Sequence, residues 1–229
     1  VDADHVKGHR DFGNETACPG DRLWARLGDV RSFAAASSAS TAPSADGYGW
    51  SAHDGDAIGI AATPAGDGYW LAWSDGRVEA FGGAADHGDV SDLDLAAPVR
   101  AIVATASGRG YWLVAEDGGV FSLGDAGFYG SAAGGVTGPV VAMAVTPSGH
   151  GYWLAGSDGA VYAFGDAADA GDMAGRAMNA DVVGIVSSTD GYCLVGGDGG
   201  AFCFGGEPFL GSMGGTTLNA PVVGAAADP

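Results

Sequence analysis

Cys193 and Cys203 are the residues whose types and separation point first to chemistry: two thiols ten positions apart that can close a disulfide or remain free. The remaining cysteine is Cys18, and imidazoles occur at His5, His9, His53, His87 and His150. Outside His9 the histidines fall in unlike places along the chain. No Ser-His-Asp or paired-carboxylate constellation stands out around them. What positions the two late cysteines is a repeated unit, and the pairing has to be judged from that unit.

The unit is clearest in GYWLVAEDGGVFSLGDAGFYGS, which starts at Gly110. Its aromatic pair falls at Tyr69-Trp70, Tyr111-Trp112 and Tyr152-Trp153, with Tyr192-Cys193 in the last copy, so the steps are 42, 41 and 40 residues. Asp-Gly recurs on the same beat at Asp75, Asp117, Asp158 and Asp198. Asp-Gly between apolar runs is a strong hairpin signal, expected here from a turn whose positive φ angles Gly and Asp tolerate. Each unit reads as four short strands. In the third copy they cover residues 140–146, 152–156 and 160–164, followed by a polar fourth near 170–173.

Placing Trp112 opposite Ser122 sets Leu113 against Phe121 and Tyr111 against Leu123, which makes both faces of the hairpin apolar. A sheet that is apolar on both faces must be sandwiched between neighbours. Trp also meets a small partner in each copy, at Ala80, Ser122 and Ala163. In the last copy Cys193 replaces the Trp and Cys203 its small partner. The expectation is a Cys193–Cys203 bridge, with two buried free thiols as the alternative. A bridge implies maturation in an oxidising compartment.

Four-stranded repeats of about 40 to 45 residues have the size of propeller blades. The fold class expected is therefore mainly β: a β-propeller, or part of one, of about four four-stranded blades over residues 48–229. Residues 48–51 read as the last strand of a preceding unit and 222–227 as the first strand of a following one. A four-bladed ring with surplus ends and a truncated larger propeller both fit. The 43 glycines suit short strands and tight turns. With 9 basic against 28 acidic residues and a net charge of -19, the chain has no basic stripe for nucleic acid. The acids read as a solvated surface rather than a cation array, and their spacing matches no calcium loop. No apolar run is long enough to span a membrane as a helix. Tyr129 and Phe209 are candidates to stack on sugar rings, or to pack beneath a loop.

Residues 1–33 differ in kind, and residues 34–47, AAASSASTAPSADG, have linker composition. Residues 21–33 predict an amphipathic helix, with Leu23, Leu27 and Val30 on one stripe after Pro19-Gly20. A lone helix of this kind cannot fold by itself. The chain starts at Val1 without methionine, which reads as a start inside a domain, so the lack of a visible signal peptide carries little weight.

The segment Gly8-His9-Arg10-Asp11, then Thr16-Ala17-Cys18-Pro19-Gly20 and the helix, resembles the C-terminal end of the zinc-dependent N-acetylmuramoyl-L-alanine amidases, the family that includes the peptidoglycan recognition proteins. The resemblance implies a short α/β remnant of an amidase domain, with His9 and Cys18 as zinc ligands and Thr16 assisting catalysis. It also implies hydrolysis of the amide between the lactyl group and the stem peptide by zinc-bound water. Imidazole and thiolate suit zinc, and a catalytic site uses three protein ligands. The family's other ligand histidine lies upstream of anything in this chain. His5, about 13 Å from His9 along a strand, is too distant to replace it. Zinc is thus expected only if the missing ligand is supplied, and the chain alone is expected to be inactive.

The repeats resemble the tandem GYWLVxSDGGVFxFGDAxFYGS units of secreted actinobacterial proteins, often found beside cell-wall hydrolases. Together the two resemblances imply part of a secreted, wall-associated amidase whose propeller binds peptidoglycan, other wall glycan or protein partners. The alternative is a non-catalytic binding module with a vestigial amidase tail.

Overall fold

Short apolar runs interrupted by Asp-Gly bend this glycine-rich backbone into antiparallel hairpins. The computed structural model describes residues 55–188 and 191–226. These lie in the unit Asp54–Pro229, and every regular element among them is a strand. The first sheet holds β1 (Ala57–Ala62), β2 (Gly68–Trp73) and β3 (Val78–Gly82). The second holds β4 (Val99–Ala104), β5 (Gly110–Ala115) and β6 (Val120–Gly124). The third holds β7 (Val140–Val145), β8 (Gly151–Gly156) and β9 (Val161–Gly165), and the fourth β10 (Val182–Ser187), β11 (Gly191–Gly196) and β12 (Ala201–Gly205). Each is a three-stranded antiparallel meander in chain order.

The hairpin register follows the residue pattern. Trp112 faces Ser122, Leu113 faces Phe121 and Tyr111 faces Leu123, while Trp70 meets Ala80 and Trp153 meets Ala163. Both faces of the inner middle strands, β5 and β8, are covered. Tyr111 and Leu113 pack with Trp70 and Ala72 of the first sheet. Trp112 and Val114 pack with Tyr152 and Leu154 of the third, and Trp153 and Ala155 with Tyr192 and Leu194 of the fourth. All six residues of β5 are buried as a result, each large side chain contributing about 1.5–3 kcal/mol. The first strands lie side by side in the order β1, β4, β7, β10.

One residue per unit also stitches neighbours through its backbone. Glu116 donates its N–H to the Pro98 carbonyl at 2.9 Å and accepts from Val140 N–H at 2.8 Å. Ser157 does the same between Pro139 and Val182, and Gly197 between Asp181 and Val222.

Two local expectations need correction. In the Asp-Gly turns positive φ belongs to glycine alone, at Gly76, Gly118, Gly159 and Gly199, and no non-glycine residue among the described residues has it. The turns are three-residue hairpin loops, closed for example by Ala115 N–H to Gly119 O, in which one left-handed position suffices. The aspartate instead accepts, through its side chain, the N–H two residues on: Asp117 from Gly119 at 2.9 Å and Asp198 from Gly200 at 2.9 Å.

The expected fourth strand is the second correction, because each sheet has three strands. The segment after the third strand bonds to its own unit through side chains and isolated backbone contacts rather than a ladder. Trp70, Trp112 and Trp153 donate their indole N–H to the carbonyls of Ala85, Gly127 and Ala168, and Met173 N–H bonds to Gly159 O. Residues 222–226 run beside β10 as expected of a further first strand, yet form no ladder. The amidase-like residues 1–33, their helix 21–33, the linker 34–47 and residues 48–51 all lie outside the described residues.

Candidate functional site

His9, Thr16 and Cys18 fall outside the described residues, so the zinc-site expectation has no geometry to meet it. Among the described residues no three His, Cys, Asp or Glu side chains are grouped to hold a metal ion. No helix there is long and apolar enough to cross a membrane. Cys193 and Cys203 stand directly opposite in the β11–β12 pair and are joined as a disulfide, with Cα atoms 4.0 Å apart.

His87 and Tyr129 hold the same place in their units, just before Gly88 and Gly130, and each packs on the tyrosine of the next sheet. The ring distances are 5.9 Å from His87 to Tyr111 and 5.6 Å from Tyr129 to Tyr152. The Tyr129 hydroxyl donates to Gly149 O at 2.9 Å, so this ring packs beneath a neighbouring loop rather than standing free for a sugar. Phe209 is 61% exposed.

A feature not read from sequence recurs at the end of every first strand, where a hydroxyl is clasped by a carboxylate. Thr105 and Ser107 donate to Asp125 at 3.0 and 2.7 Å, and Thr146 and Ser148 do so to Asp166. In the last unit Ser188 donates to Glu207. The first unit has Gly83 where Asp125 and Asp166 stand, and there Thr63 donates to Asp67 from across the loop at 2.8 Å. A Cβ at Gly83 would lie 2.4 Å from the Asp67 carboxylate, so the two sources of the acid exclude each other. The Ser107 hydroxyl is the main cause that holds Asp125 below the usual carboxylate range, helped by Thr105 and Arg109. Ser148 and then Thr146 do the same for Asp166. The signal for these clasps was the acid following Phe-Gly or Leu-Gly in the middle copies.

Burial pushes the phenols of Tyr111, Tyr152 and Tyr192 up, so they remain protonated donors. They are structural groups, each bonded to the preceding unit.

The arrangement best suited to a ligand is a cleft of about 340 Å³ between the loop 93–97 and the second hairpin. Phe128, 61% exposed, Leu93, 55% exposed, and Phe121 line it, and Asp94, Asp117 and Ser131 supply polar atoms. One Asp117 oxygen is engaged by Gly119 N–H, and Ser131 donates to Gly118 O. An aromatic plane beside carboxylates matches a ring with one apolar face and hydroxyl donors at its edge. Sequence reasoning singled out Tyr129 and missed Phe128, because which of two adjacent aromatics points outward depends on the path of a non-strand segment. No family model and no curated protein matches this chain.

Proposed function

We propose that this chain is part of an exported bacterial cell-wall hydrolase of the zinc-dependent N-acetylmuramoyl-L-alanine amidase type. Its repeats form a β-propeller, or a section of one, that holds wall glycan or a protein partner. The observation that carries the reading is the Gly8-His9-Arg10-Asp11 and Thr16-Ala17-Cys18-Pro19-Gly20 pair ahead of the repeats. Export is supported by the Cys193–Cys203 disulfide, which persists in oxidising surroundings. Wall glycan as ligand is supported by the Phe128 cleft and the carboxylates of Asp94 and Asp117 that line it.

The second reading is a non-catalytic binding module with a vestigial tail; residues 1–33 carry His9 and Cys18 of the three protein ligands a catalytic zinc uses. On both readings the chain by itself releases no stem peptides from purified peptidoglycan. The two part on zinc. Metal analysis of the chain joined to its upstream sequence finds one zinc per molecule, lost in His9→Ala and Cys18→Ala, if the hydrolase reading is right, and none if the tail is vestigial. Binding to peptidoglycan falls at least tenfold in Phe128→Ala if the cleft holds glycan. Unchanged binding removes the cleft from the reading.

A further inference from the structure

The residues around the Phe128 cleft belong to the second unit, and they recur as a set in the fourth but not in the first or third. The hairpin position of Phe121 is Phe202 in the fourth unit, against Glu79 in the first and Tyr162 in the third. The outward position of Phe128 is Phe209 in the fourth, against Asp86 and Asp169. Phe128 and Phe209 are each 61% exposed. The third unit packs on the second, so an outward phenylalanine at this place follows from the path of its segment and not from standing last in the series. The local geometry matches as well. Asp117 accepts the Gly119 N–H and Asp198 the Gly200 N–H, both at 2.9 Å. A Cβ at Gly119 would lie 3.0 Å from the Asp117 carboxylate and 3.8 Å from the Phe121 ring, and one at Gly200 would lie 2.9 Å from Asp198 and 3.6 Å from Phe202. Both glycines therefore leave the carboxylate and the ring edge bare, where the third unit has the methyl of Ala160. Ser131 and Ser212 donate to the Gly118 and Gly199 carbonyls at 3.0 and 3.3 Å, which holds the segment bearing each phenylalanine against its hairpin.

In the third unit the chain fills the same place itself. Thr137 donates its hydroxyl to the second oxygen of Asp158 at 2.6 Å and its N–H to the Tyr162 hydroxyl at 2.9 Å. That closure needs a glycine, because a Cβ at Gly138 would lie 2.9 Å from the Asp158 carboxyl carbon. The corresponding residue is Ala97 ahead of the second unit and Ala180 ahead of the fourth. Their methyl groups keep the preceding loop from closing on Asp117 and Asp198 as it closes on Asp158. Among the described residues neither aspartate receives a hydroxyl, so each has one oxygen open to a donor from outside.

We propose that the chain carries two sites of one kind, the Phe128 cleft and a second around Phe209, each taking an uncharged pyranose. The apolar face of the sugar ring lies on the exposed phenylalanine, and one of its hydroxyls donates to the open oxygen of Asp117 or Asp198, where Thr137 donates to Asp158 in the third unit. The inference rests on the reading of the Phe128 cleft as a glycan site and adds to it a second site and the acceptor in both. A wall glycan repeats its rings along one strand, so two sites engage the same strand and the loss of either costs more than half of the binding.

The test is an NMR titration of the full chain with the tetrasaccharide of N-acetylglucosamine, read at the backbone amides of Gly119 and Gly200 that bond to the two aspartates. Both amides shift and saturate, while the Ala160 amide, bonded to Asp158, stays in place. Phe128→Ala removes the shift at Gly119 and leaves the one at Gly200, and Phe209→Ala does the reverse. Asp117→Asn keeps an acceptor for the turn but presents an amide NH2 to the sugar, and it weakens binding at Gly119 about tenfold; Asp198→Asn does the same at Gly200. On purified peptidoglycan Phe209→Ala lowers binding about tenfold, as Phe128→Ala does. A shift confined to Gly119, with peptidoglycan binding unchanged in Phe209→Ala, overturns the second site and leaves the reading of the Phe128 cleft standing. No shift at either amide, with binding unchanged in both phenylalanine variants, overturns both. Affinities unaltered in Asp117→Asn and Asp198→Asn, or a shift at Ala160 equal to the other two, overturn the role given to the open carboxylates.

Discussion

The third and fourth units meet the same packing requirement by different means. In the third, Trp153 lies opposite Ala163, its ring 5.3 Å from Tyr192 of the next sheet and its indole bonded to Ala168 O at 2.8 Å. In the fourth, the same cross-strand position is a disulfide between Cys193 and Cys203. Trp153 is 5% exposed because a following sheet covers it. A Trp at 193 would have no following tyrosine to pack on among the described residues. A covalent link needs no neighbour. The difference teaches that the inner units are held by what stacks on them, and the last by what it contains.

The comparison is put to its hardest trial at the inner tryptophans. Trp112→Ala empties a site between the second and third sheets and should lower stability by about 3–5 kcal/mol, read from the urea midpoint. Tyr69→Ala, at a ring 40% exposed, should cost far less. Equal losses would mean that stacking does not distinguish the inner units.

Next in size is the disulfide. Removing it with Cys193→Ala and Cys203→Ala together should cost about 2–3 kcal/mol, given the short loop it closes. The added amide exchange should be confined to β11, β12 and the segment after them. Cys193→Trp with Cys203→Ala should not recover the loss, since the ring lacks its partner; full recovery would refute the contrast between the two units.

A smaller effect separates buried from exposed tyrosines. Tyr152→Phe removes the donor to Gly130 and the acceptor for the N–H groups of Tyr129 and Gly130, and should cost on the order of 1 kcal/mol in thermal or urea unfolding. Tyr69→Phe should leave monomer stability unchanged.

The smallest effect is set by pH. Asp125 and Asp166 have carboxyls depressed in the folded state by their serine and threonine donors. Their contribution is complete above the unfolded value, about pH 4, and is lost as pH falls through the lower folded values. Asp125→Asn should flatten the acid limb of the stability profile without moving it at pH 7 beyond the loss of the charged hydrogen bonds. Both carboxylates are exposed, so screening keeps the effect small. An unaltered acid limb would show that the clasp does not couple to folding.

Much of the framework was legible because a hairpin is a local object. Period-two alternation places Trp112 against Ser122 and Cys193 against Cys203 once the turn is located, and the turn is marked by Asp-Gly. The identity of the fourth segment was not legible in that way. Its residues carry no alternation, and its backbone is satisfied by indoles and tyrosine hydroxyls some 15 to 23 positions away. The outward turn of Phe128 and the inward turn of Tyr129 follow from that segment's path, so the cleft stayed hidden. The exchange of Gly83 and Asp67 for the acid of other units likewise involves residues on opposite sides of a loop, which spacing alone does not bring together.

The amino-acid order by itself determined the unit, its period, the register of each hairpin and the cross-strand place of the two cysteines, because all of these depend on contacts between residues close along the chain. Only the tertiary structure decided that each sheet has three strands, that carboxylates clasp the ends of the first strands, and that Tyr69 and Met213 are 40% and 51% exposed where Tyr111 and Met173 are buried. Those outcomes depend on which sheet lies against which, and identical residues acquire different surroundings according to their place in the stack.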